Sequence, residues 1–103
     1  MKLAEVKVRR SERPQKTRIF IFEKGEGILE NLMKRHGRPY EAYKKEVLPL
    51  VKAWLAANRS DVNELEIGRH VGWSQKAGCS CGCSPGFIVD YFGCRDIYVT
   101  ISN

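Results

Sequence analysis

The hydrophobic period of this chain changes twice, and that change limits its fold more than any other feature. Thr17–Glu23 reads TRIFIFE, with an unbroken β-branched or aromatic run from Ile19 to Phe22, the composition of a strand buried on both faces. Upstream, Ala4, Val6 and Val8 alternate with Leu3, Glu5 and Lys7, as in an edge strand with two unlike faces. From Ile28 the period becomes helical. Ile28, Leu29, Leu32, Met33 and His36 share one face, and Gly37 follows Lys34, Arg35 and His36, a helix stop with cations in its last turn. Pro39 suits the first position of a second helix, with a stripe of Tyr40, Tyr43, Val47, Val51 and Trp54. Pro49 lies within that stripe. It has no amide to donate and its ring clashes with the Lys45 carbonyl, so a kink or break is expected near Leu48.

The last third returns to a period of two. Ile67, Arg69, Val71 and Trp73 alternate with Gly68, His70, Gly72 and Ser74. Phe87–Phe92 (FIVDYF) reads as a strand, or alternatively as a short helix capped by Ser84 with Pro85 in its first turn. Ile97–Ile101 (IYVTI) alternates well and closes the sheet. The order ββααβββ predicts one small α+β domain over residues 1–103. Helices pack on one face of a mostly antiparallel sheet, and a cysteine-rich metal-binding loop joins the later strands.

Composition narrows the class. The 103 residues are 43% hydrophobic and 29% charged, ordinary for a folded domain. No apolar run approaches the ~18 residues that cross a bilayer, so no membrane association is expected. The start, MKLAEVKVRR, has no apolar signal core, which points to a cytoplasmic setting. The formal charge of +6 is uneven: residues 1–18 carry seven basic against two acidic side chains, and the rest carries eleven against ten. Lys7, Arg9, Arg10, Arg13, Lys16 and Arg18, with Lys76 further on, are the candidate contacts to nucleic acid or to an acidic protein surface. A solvated strand and loop would carry the same charge.

The four cysteines, Cys79, Cys81, Cys83 and Cys94, lie within 16 residues. Four thiolates are the donor set of a tetrahedral zinc site, and a divalent ion offsets their mutual repulsion. The C-x-C-x-C spacing is tighter than the usual C-x₂₋₄-C pairs. A straight strand would spread these thiols ~6.5–7 Å apart. Gly78, Gly82, Gly86, Ser80, Ser84 and Pro85 favour a folded-back loop instead. His70 is the substitute ligand should one cysteine not bind. An iron–sulfur cluster, two disulfides and four reduced thiols are the alternatives. No nucleotide-loop, nucleophile-elbow or H-E-x-x-H pattern occurs, so no catalytic residues are named and catalysis is not the expected role.

Trp73-Ser74-Gln75-Lys76-Ala77-Gly78-Cys79-Ser80-Cys81-Gly82-Cys83-Ser84-Pro85-Gly86-Phe87 resembles a motif of small uncharacterised proteins of bacteria and their phages, with fainter similarity around Arg38-Pro39-Tyr40. The resemblance implies a bacterial or phage cytoplasmic setting and transfers no activity. The residues themselves point to a small metal-stabilised binding protein, with nucleic acid as the expected target. A protein-interaction module, such as a phage-type inhibitor of a host protein, is the second reading. An iron–sulfur or thiol redox protein is the third.

Overall fold

The computed structural model describes residues 1–12, 17–23, 27–62, 67, 70–75, 85–91 and 93–103. Along the chain run β1 (Lys2–Arg10), β2 (Thr17–Glu23), α1 (Ile28–His36), α2 (Pro39–Ala42), a π-helical stretch (Tyr43–Val47), α3 (Leu48–Asn58), β3 (Val71–Ser74), β4 (Gly86–Tyr91) and β5 (Arg95–Ser102). This is the expected α+β order. Phe87–Tyr91 lie in a strand and not in the alternative helix, Phe92 lies outside the described residues, and β3 begins at Val71, with His70 outside it. No helix among the described residues is long and apolar enough to cross a membrane.

The helices start and stop for local reasons. Gly37 ends α1 at φ 74°, where its amide donates to the Met33 carbonyl, a left-handed position that glycine adopts without a Cβ clash. At the other end, the buried carboxylate of Glu23 accepts a 3.2 Å hydrogen bond from the Leu29 amide. The end of β2 thereby caps α1 and complements its dipole.

Pro39 opens α2 as expected, but the helix around Pro49 widens instead of breaking. The Leu48 amide donates to the Tyr43 carbonyl, an i→i+5 bond that relaxes the turn just before the proline ring. The buried stripe follows the wider turn. Tyr43, Val47, Val51 and Leu55 are each at most 1% exposed, a constant spacing of four that a pure 3.6-residue helix would let drift. The expected stripe is therefore corrected at both ends: Tyr40 is 40% exposed, and Trp54 is partly buried while Leu55 takes the core position.

The strands form one sheet in the order β1-β5-β2-β4-β3. β2 and β5 run parallel and the other three pairs are antiparallel, so the sheet is mixed. β1 and β2 are consecutive in sequence yet do not pair, because β5 is inserted between them. Odd-numbered residues of the three inner strands, among them Ile19, Ile21, Phe87, Val89, Ile97 and Val99, join the apolar helix residues in one core. Phe87 sits at its centre, with ring centroids 6.0 Å from Tyr43 and 5.3 Å from Trp73.

Two expectations for the first strands change. In β1 the register slips between Glu5 and Lys7, which leaves Val6 as a bulge with 52% exposure. Leu3 opposite Ile101 and Val8 opposite Ile97 pack against the core, and Ala4 and Lys7 take the other face. One extra residue inverts a strand's alternation, so Ala4, Val6 and Val8 do not share a face. In β2, Ile19 and Ile21 are buried but Arg18 and Phe20 are only half-buried. The strand is thus not buried on both faces along its length: among the described residues, no second layer covers it at Phe20.

Candidate nucleic-acid interface

Register places two rows of side chains across the uncovered face. In the first, Lys7 lies opposite Tyr98, Tyr98 beside Phe20, Phe20 opposite Ile88 and Ile88 opposite Gly72. The Phe20 and Tyr98 rings stack with centroids 4.5 Å apart and planes 7° from parallel. Lys7 Nζ stands 4.5 Å from the Tyr98 ring centroid, a favourable cation–π position.

The second row alternates in charge. Arg9 faces Asp96 across β1 and β5. The Arg18 amide donates to Asp96 Oδ1 at 3.1 Å, and Arg18 Nε lies 3.4 Å from Asp90 Oδ1. The Asp90 amide then donates to the His70 carbonyl at 3.0 Å. Both carboxylates are engaged by Arg18. Lys7, Arg9 and Arg10 form no ion pair with a described carboxylate. Arg10 stands directly opposite Arg95, a like-charge pair that disfavours the sheet unless an anion bridges it. Arg9, Arg10, Arg18, Phe20 and Tyr98 contribute to the walls of a recess of ≈ 320 Å³.

Of the residues expected from sequence to bind, Arg9, Arg10 and Arg18 thus line one recess, and Lys7 stands over the ring of Tyr98, which also lines it. Arg13, Lys16 and Lys76 lie outside the described residues. The aromatic part was not foreseen. Its signal was present in TRIFIFE and RDIYVTI, where Phe20 and Tyr98 fall between the core positions and are too large and apolar for an ordinary solvated face.

Of the four cysteines of the expected thiol site, one falls among the described residues. Cys79, Cys81 and Cys83 lie outside the described residues, whereas Cys94 is exposed in the turn before β5. Pro85 and Cys94 flank opposite ends of β4, whose six residues span ~17 Å or more. His70, the substitute ligand, is exposed at the Asp90 end of the β3–β4 pair, away from Pro85. Among the described residues, no group of three or more His, Cys, Asp or Glu side chains is placed to hold a metal.

Cys94 belongs to a junction that anchors the basic strand. Its carbonyl accepts from the Ser11 amide at 3.0 Å, just past the end of β1. The Tyr91 hydroxyl donates to the Arg95 carbonyl, and Thr17 Oγ1 donates to the Tyr91 carbonyl at 2.6 Å. Burial pushes the Tyr91 phenol up to about 12, and the neighbouring Asp96 and Cys94 add to the shift. These bonds hold the ends of β1, β2 and β5 together beside the recess. Compared with protein-family models, with curated proteins and with solved structures, the chain matches none.

Proposed function

We propose that this protein binds nucleic acid across the uncovered face of its sheet. The observation that carries the proposal is the Lys7–Tyr98–Phe20 stack beside Arg9 and Arg10, cations that form no ion pair with a described carboxylate although Glu12 and Asp96 line the same recess. Cations at a sheet edge gain affinity by releasing counterions from phosphates, and aromatic side chains add sequence-tolerant contact with bases. An acidic protein surface would also attract the cations, and the competition experiment below separates the two. The metal-stabilised part of the proposal rests on the sequence spacing of Cys79, Cys81, Cys83 and Cys94, with zinc as the expected ion. A bacterial or phage cytoplasmic setting belongs to the same proposal.

The test is fluorescence anisotropy with labelled DNA and RNA oligonucleotides over a range of salt concentrations. Affinity should fall steeply with salt. A triple variant Lys7→Gln, Arg9→Gln and Arg10→Gln should lower the salt slope by about two to three units, near one per phosphate contact. Binding that ignores both salt and these substitutions would refute the proposal, as would tighter binding to a polyglutamate competitor than to either nucleic acid.

A further inference from the structure

The first row of the uncovered face steps down as it crosses the sheet. Lys7, Tyr98 and Phe20 stand high over β1, β5 and β2, Ile88 is shorter, and Gly72 on β3 has no side chain at all. A Cβ built on Gly72 would meet no heavy atom within 4 Å. The step opens a recess of ≈ 360 Å³, lined by Arg18, His70, Val71, Gly72, Ile88 and Asp90. Its floor is the half-buried, apolar Ile88. Its rim holds a guanidinium, a carboxylate and an imidazole. Arg18 Nε is buried and makes no hydrogen bond to a described group, despite lying 3.4 Å from Asp90.

Resting on the nucleic-acid reading, we infer that the bound form is single-stranded and that one unpaired base seats in the slot over Ile88 and Gly72. An apolar floor under a polar rim suits a flat ring that hides its face and hydrogen-bonds through its edge. Asp90 accepts from ring amino or imino groups, and Arg18 donates to ring nitrogens or carbonyls. Arg18 lines this slot and also the Arg9–Arg10 recess. A strand laid across the sheet therefore meets phosphate-binding cations on the β1 side and a base slot on the β3 side of one residue. From β1 to β3 is four strand spacings, ~19 Å, room for several nucleotides in line. A duplex keeps its bases inside the stack and fills the slot only after one is flipped out.

The deciding variant is Gly72→Leu, which fills the slot from an unstrained backbone with free space above it. Its melting temperature should match the parent's. Anisotropy with a mixed-sequence single-stranded oligonucleotide should show about a fivefold to hundredfold loss of affinity, as when one stacked base contact is removed. Duplex binding, held by the β1 cations, should stay unchanged. Asp90→Asn, which keeps the shape but changes the rim, should alter the preference among the four homopolymers. An unchanged single-strand affinity in Gly72→Leu, or a parent protein that binds duplex as tightly as single strand, overturns the slot and leaves the phosphate reading standing. Absence of binding to any nucleic acid by the parent protein overturns both.

Discussion

On the helix-covered face of the sheet, Ile21, Phe87, Val89 and Val99 are at most 1% exposed. One residue along the same strands, Phe20, Ile88 and Tyr98 are half-buried and interleaved with Arg18, Asp90 and Asp96. Both faces carry large apolar groups, but only the first pairs them with helices. The difference teaches that apolar content did not decide which face became the core. What did was charge: Arg9, Asp96, Arg18 and Asp90 occupy the second row on the uncovered side, and charged groups are buried only at a cost of several kcal/mol.

The comparison is open to direct attack. Phe87→Ala, which empties the space between Tyr43 and Trp73, should cost about 3–5 kcal/mol in a denaturant melt. If Phe20→Ala costs as much, the second face is a core as well and the contrast fails. Tyr91 gives the next largest effect. Its native phenol is held up to about 12 against an ordinary value of 10, so the native state keeps this proton longer than the unfolded chain does. The resulting stabilisation is complete below pH 10 and vanishes as pH rises through 12, on the order of 2–3 kcal/mol. Melts from pH 9 to 12 should fall steeply for the parent and less steeply for Tyr91→Phe. A parallel decline in both would place the alkaline sensitivity elsewhere. Gly86→Ala comes third, at about 1–3 kcal/mol. The added Cβ would overlap the Ile21 carbonyl oxygen and force β4 away from β2. An unperturbed melt would mean that the two strands separate more easily than their register implies. Phe20→Ala should be mildest in stability, under about 1 kcal/mol, while weakening oligonucleotide binding at least fivefold. Equal loss in both measurements would make the ring structural.

Thiol chemistry tests the four-cysteine site. Cys94 is exposed. In native protein carrying zinc, all four thiols should resist iodoacetamide, and all four should react after chelation. Reaction of Cys94 at the same rate with and without zinc would remove it from the site.

Much of the architecture was legible because it follows local rules. Gly37 and Pro39 mark helix ends through backbone geometry alone, and the alternation in Ile97–Ile101 needs no partner to be read. The misreadings arose where a neighbour decides. Val6 became a bulge through its pairing with β5, a contact roughly ninety residues away, and the bulge exchanged the two faces of β1. Pro49 widened the helix because the Tyr43–Leu48 bond absorbed its ring, and the core stripe moved from Trp54 to Leu55 in consequence. The basic half of the interface could be read as charge along one segment. Its aromatic half could not, since Phe20 and Tyr98 meet only once the first and last parts of the chain lie side by side.

The insertion of β5 between β1 and β2 also sets the order of events during synthesis. Until Arg95–Ser102 has left the ribosome, β1 has no partner and β2 has one bare edge. Contacts such as Thr100 Oγ1 to the Ala4 carbonyl close a loop of nearly the whole chain, 96 residues apart in sequence. Such closures make folding slow relative to helical proteins of similar size. The nascent protein therefore exposes TRIFIFE as an unpaired strand through most of its translation, a period in which aggregation or a chaperone competes for it. The charges that flank it, Arg18 and Glu23 within the strand and the basic run before it, are the chain's own protection during that wait.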